Sequence, residues 1–186
     1  MIRSTAAKVV IIPLYATSLM VWAPRANADE YQDQIARAFV GFEILNRSDF
    51  TEEIQKAIRT NPALATGHFN RDKLEDFAAI ILNRSTQYGQ QGEKKYYLGK
   101  YVVCHGTEKG LYQCQTLREE HVYLPYERYL RRMRPGKLKC VVGKELKVTN
   151  ITLEHDGIAR ILIDRDATVY VNQSDGTYRE CDQPFD

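Results

Sequence analysis

Residues 66–83 read TGHFNRDKLEDFAAIILN. Asn70, Asp72 and Asp76 fall on alternate positions with His68 and Leu74, and then an unbroken apolar run begins. Alternating acid and amide side chains suit a tight loop whose oxygens hold either a cation or the backbone itself. DFAAIILN (76–83), with its apolar run, reads as a buried strand. The stretch therefore predicts a turn feeding a sheet.

Upstream, the pattern is helical. DEYQDQIARAFVGFEIL (29–45) sets Ile35, Phe39 and Phe42 at near-helical spacing, with Gly41 weakening it beyond. In NRSDFTEEIQKAIRTNP (46–62), Asp49 and Glu52 fit a capping box, Phe50, Ile54, Ala57 and Ile58 form an apolar stripe, and Pro62 stops the helix. Such a stripe reads as a helix packed on a sheet.

Downstream, strands dominate. STQYGQQGEKK is polar, holds two glycines and is expected as an exposed loop. YYLGKYVVCHG and LYQCQTL alternate as strands. LPYERYLRRMRPG is expected as a short helix or irregular crossover, and KLKCVVG, LKVTNITLEH, ARILID, ATVYVNQ and TYREC as closing strands. HDG (155–157) and SDG (174–176) carry the Asp–Gly signal of tight turns with φ > 0. The expected architecture is one α+β domain over 29–186, with N-terminal helices on a largely antiparallel, disulfide-stapled sheet.

The first 28 residues have the layout of a secretory signal: basic Arg3 and Lys8, a 15-residue apolar core, and Ala26 and Ala28 at the cleavage positions. The expected location is periplasmic or secreted, without a stable membrane span once the leader is removed. The remaining 158 residues hold 23 basic and 24 acidic side chains, so nucleic-acid binding is not indicated. All four cysteines lie in this part, which suggests two disulfides in an exported chain. Three pairings exist. Cys104–Cys114 is favoured because the pair flanks the turn-rich HGTEKGLYQ, and Cys140–Cys181 because it ties TYREC back to KLKCVVG. No C-x-x-C pair supports zinc.

GHFNRDKLEDFAAIIL resembles the D-x-N-x-D-G-x-x-D calcium loop of FG-GAP and VCBS-type repeats, in which the loop precedes an apolar strand. Those repeats occur in exported and cell-surface proteins, often as propeller blades. The resemblance covers about 16 residues and implies calcium ligands at Asn70, Asp72 and Asp76, with Leu74 offering its carbonyl. His68 replaces the first Asp, and Arg71 and Lys73 replace glycines. Without calcium, Asn70 and Asp72 would cap backbone N–H groups and Arg71 or Lys73 would pair with Glu75 or Asp76. A single repeat cannot close a propeller.

The densest basic cluster is YERYLRRMRPGKLK. Tyr126, Arg128, Tyr129, Arg131, Arg132, Arg134, Lys137 and Lys139 are candidates for binding an anionic envelope component or an acidic protein; a solvated charged face is the plainer reading. Eleven tyrosines after the leader favour a binding surface. No catalytic motif is present, His68, His105, His121 and His155 stand apart, and adjacent Glu119 and Glu120 point to opposite sides of a strand. These features favour an exported non-enzymatic binding or inhibitor-type protein of the bacterial cell envelope, for example an immunity-like protein. The alternatives are a calcium-stabilised structural module and an envelope-polymer hydrolase.

Overall fold

The computed structural model describes residues 28–91, 94–142, 147–163 and 165–183. All but the last residue of the expected 1–28 leader lies outside them. Helix α1 spans Ala28–Ala38 and α2 spans Glu52–Ala57. The strands are β1 (Glu43–Ile44), β2 (Leu64–Gly67), β3 (Asp76–Gln91), β4 (Lys94–Gly106), β5 (Tyr112–Leu124), β6 (Arg128–Met133), β7 (Gly136–Val142), β8 (Lys147–Leu153), β9 (Gly157–Leu162), β10 (Ala167–Asn172) and β11 (Tyr178–Asp182). The expected α+β balance is corrected: the chain is mostly antiparallel β, with few helical residues.

The first sheet runs β1-β3-β4-β5, and β2 lies on β3 beyond β1. Its centre is the apolar run 77–82 of β3, every side chain of which is fully buried. Both faces of β3 are covered, so the sequence shows a continuous run in place of alternation. Tyr31 and Ile35, four residues apart on α1, are buried, and the Tyr31 ring sits 4.5 Å from Phe77. Cys104 and Cys114 are direct register partners on β4 and β5 and form a disulfide.

The second sheet runs β6-β9-β10-β11-β7-β8. One face carries a separate small core of Leu153, Ala159, Val169 and Val171 around the Cys140–Cys181 disulfide. The other face turns Leu130, Ile158 and Tyr170 into the main core, which also holds the first sheet. Backbone bonds stitch the sheets together: Tyr126 N–H donates to Asp49 O at 2.7 Å, Leu130 N–H to Pro62 O at 2.9 Å, and Asp156 N–H to His68 O at 3.1 Å.

Five local expectations are revised. The first helix stops at Ala38; Gly41, at φ 82°, turns the chain into β1. The expected box at Asp49 and Glu52 gives way to Asn46 N–H donating to Asp49 Oδ2 at 2.8 Å, with Arg84 Nη2 on the same oxygen at 2.7 Å. The polar stretch 85–91 is strand, because Gln87, Gly89 and Gln90 pair their backbones with Tyr97, Tyr96 and Lys95 whatever their side chains are. Gly92 and Glu93, at its tip, lie outside the described residues. Residues 128–133 form strand β6 on β9, with Leu130 buried. As for the Asp–Gly turns, Gly176 has φ 81°, whereas Gly157 opens β9 and supplies space: a Cβ there would lie 2.9 Å from Val169 Cγ1.

Candidate functional site

The loop between β2 and β3 is closed by its own side chains. Asp76 is fully buried; it accepts from Phe69 N–H at 2.7 Å and from Gly106 N–H at 3.1 Å. Asp72 accepts from Leu74 N–H at 2.9 Å and Asn70 Nδ2 at 2.8 Å, and Asn70 Oδ1 accepts from Asp72 N–H at 3.0 Å. The Leu74 carbonyl accepts from His68 Nδ1 at 2.8 Å. Arg71 reaches Glu154 at 2.9 Å, not Glu75 or Asp76. Lys73 takes φ 64°, the left-handed backbone that glycine adopts more cheaply.

This geometry bears on calcium. Asn70, Asp72 and Leu74 direct their oxygens at donors inside the loop, and Asp76 directs its own at Phe69 N–H and at Gly106 N–H of β4, whereas calcium needs six to eight oxygens converging on one point. Among the described residues, no group of three or more His, Cys, Asp or Glu is placed to hold a metal. The donor set does not fit the ion, and no calcium-dependent role is derived.

His105 extends the lock to the second sheet. Its Nδ1 lies 3.3 Å from Asp76 Oδ2, its Nε2 lies 3.3 Å from the Tyr178 hydroxyl, and the two rings stack. The Tyr178 hydroxyl donates to Phe69 O at 3.1 Å, and burial raises its pKa well above the ordinary value.

The basic cluster is contiguous in sequence but divided in space. Tyr126 is buried between the sheets, so its expected place on a binding surface is corrected. Arg128 is held by Asp166 at 3.1 Å. Lys137 and Lys139 lie on β7, four strands away from β6 in the sheet order. Arg134 is exposed just beyond β6. Tyr129, Arg131 and Arg132 come together along a groove of about 760 Å³ between β2 and β6. Tyr31, Ile58 and Leu64, from distant parts of the chain, complete its walls. Arg132 turns toward Asp156 at 3.8 Å, but Arg131 is exposed and has no carboxylate at ion-pair distance among the described residues. Among the described residues β2 forms a strand ladder only with β3 and β6 only with β9, and Leu130 N–H of β6 donates to Pro62 O just ahead of β2.

A second concentration of polar groups lies where the sheets meet. One oxygen of Glu120 accepts from Tyr126 at 2.6 Å and Tyr101 at 3.1 Å; the other accepts from Arg160 Nη1 at 3.1 Å, with Arg118 Nε at 3.3 Å. Arg118 also meets Glu180 at 3.2 Å. Burial, reinforced by neighbouring charge, raises the pKa of the Tyr101 and Tyr126 hydroxyls far above the ordinary value. Burial pushes Tyr170 up to about 12. Burial opposes the Arg160 charge, but Tyr170, Tyr101 and Glu120 together hold its pKa above the usual guanidinium value. Glu119 faces the other side of β5 and pairs with Lys100, so the two adjacent carboxylates do not share a site.

No family model matches this chain, and comparison with curated proteins and with solved structures finds no significant match. Among the described residues no helix is long and apolar enough to cross a membrane.

Of the residues lining the groove, the sequence had singled out Tyr129, Arg131 and Arg132, as part of its densest basic cluster. It missed Tyr31, Ile58 and Leu64 in the groove, and Arg118, Glu120 and Arg160 between the sheets. Alternation on β5 carried the only local signal for the latter, since Arg118, Glu120 and Val122 share one face.

Proposed function

We propose that this chain is an exported, non-catalytic binding protein of the cell envelope that holds an acidic partner along the groove between β2 and β6. Blocking a toxic enzyme, as an immunity-type protein does, is one concrete form. The observation that carries the reading is the pairing of a half-apolar groove with an exposed charge: Ile58, Leu64 and Tyr129 offer contact area, and Arg131 offers a guanidinium with no carboxylate at ion-pair distance among the described residues. Tyrosine and arginine are the residues that dominate protein interfaces. The two disulfides suit an oxidising compartment.

The test is affinity capture from envelope extract with wild-type protein and with Arg131→Glu. The expected result is an acidic partner whose recovery falls with added salt and drops about tenfold or more with the variant. Equal recovery by both proteins removes the groove from the proposal.

A further inference from the structure

We propose that the cavity at the end of the small disulfide-bridged core is a binding site for a small carboxylate with an apolar body. It has a volume of about 280 Å³ and lies between the turn after β8 and the β10–β11 hairpin. None of its lining residues belongs to the β2–β6 groove.

One side of the cavity is apolar. Ile151, Leu153 and Val171 lie on the face of the second sheet that surrounds the Cys140–Cys181 disulfide, and all three line the cavity. Ile151 is half-buried and Val171 is 8 % exposed, so apolar surface stays open to an incoming group. A cavity of about 150 Å³ takes one benzene molecule, so this one suits a ligand of about ten heavy atoms.

The other side is charged, and one charge is left over. Glu154 is matched by Arg71 at 2.9 Å. Asp156 accepts from His68 N–H at 2.9 Å and has Arg132 at 3.8 Å. Arg179 is the register partner of Val171, so its side chain leaves the sheet on the same face, beside the apolar wall. It is exposed, lines the cavity, and has no carboxylate at ion-pair distance among the described residues. Its neighbour Glu180 projects from the opposite face and pairs with Arg118. Thr152 and Ser174, both exposed, add hydroxyls to the lining. His155 Nε2 is closed off from solvent, 4.0 Å from Glu154, and is not a ligand contact. Charge complementarity then selects the ligand: an open guanidinium takes a carboxylate through two parallel hydrogen bonds, and the wall beside it removes the apolar remainder from water. A cation would meet Arg179 unopposed, and a bare anion would leave the wall unused.

Calorimetric titration of the protein with phenylacetate tests this site, beside phenethyl alcohol, which lacks the charge, and acetate and inorganic phosphate, which lack the apolar body. Phenylacetate is expected to bind saturably, and each of the others about tenfold more weakly or worse. Arg179→Gln, a change at an exposed position, is expected to weaken phenylacetate about tenfold. Arg131→Glu, in the β2–β6 groove, is expected to leave its affinity unchanged, and the amide resonances of Ile151 and Val171 are expected to shift with occupancy. No saturable heat at concentrations on the order of 10 mM would overturn the proposal, because the cavity would then be filled by water alone. Acetate or phosphate binding as tightly as phenylacetate, unchanged affinity in Arg179→Gln, or loss of binding in Arg131→Glu would overturn it equally.

Discussion

Arg160 Nη1 lies 3.1 Å from Glu120 Oε2, and that contact joins β9 of one sheet to β5 of the other. The same carboxylate serves the Tyr101 and Tyr126 hydroxyls and Arg118. One side chain thus collects four donors from separate parts of the chain, so its loss strands several groups at once.

Glu120→Ala is expected to lower the unfolding free energy by about 3 kcal/mol, because it leaves the Arg160 charge buried and unpaired. Replacing both Glu120 and Arg160 by leucine is expected to recover much of that loss, since an apolar pair strands no charge. Denaturant unfolding of the single and double variants measures both.

Asp76→Ala removes the acceptor of Phe69 N–H and Gly106 N–H. Two buried donors left open cost roughly 3 kcal/mol, visible in thermal unfolding and in faster amide exchange at Phe69. Calcium near 1 mM, an ordinary extracellular level, is expected to leave the melting temperature of the wild type unchanged. A calcium-dependent rise would show that the loop donors rearrange.

Lys73→Gly is expected to stabilise the protein by about 0.5–1 kcal/mol. The φ of 64° at Lys73 strains a residue with a Cβ, and the relief exceeds the added freedom of the unfolded chain. Equilibrium unfolding reads the change; a loss of stability would mean that the Lys73 side chain makes a compensating contact.

The two disulfides close loops of different length. Cys140 and Cys181 are 41 residues apart, Cys104 and Cys114 only 10. Chain-entropy arithmetic gives about 4 kcal/mol for the longer loop and about 3 kcal/mol for the shorter. Serine replacement of the 140–181 pair is therefore expected to lower the denaturation midpoint further than replacement of the 104–114 pair.

Burial, with neighbouring charge, raises the hydroxyl pKa values of Tyr31, Tyr101, Tyr126, Tyr170 and Tyr178 in the folded protein. In the unfolded chain these groups release protons near pH 10. Their contribution to stability is whole below that pH and declines as pH rises toward the folded values. Near-ultraviolet tyrosinate absorbance is expected to show late, cooperative ionisation that coincides with alkaline unfolding. Independent titration of all five near pH 10 while the fold persists would contradict their burial.

Reading the sequence went furthest where the determining forces are local. The turn of 68–76 and the buried run 77–82 were legible because Asp and Asn spacing and unbroken apolarity act within a few residues. The cysteine spacing around 105–113 pointed to a hairpin for the same reason. Residues 126–134 were misjudged because their charge and length suit a helix, while their strand state comes from pairing with β9, about thirty residues on. The groove was half visible: Arg131 and Arg132 announced themselves by charge, but Tyr31 and Leu64 join them only when α1 and β2 are folded alongside.

By itself, then, the amino-acid order set the tight turn before β3, the doubly buried strand after it and the cysteines available for cross-linking, because short-range hydrogen bonding and apolar burial suffice for each. Tertiary structure alone decided that polar residues 85–91 become strand, that Arg118 and Arg160 share the Glu120 carboxylate, and that β6 comes to lie beside β2. Those outcomes depend on backbone pairing and on contacts between sheets, and side-chain periodicity records neither the partner strand nor the partner residue.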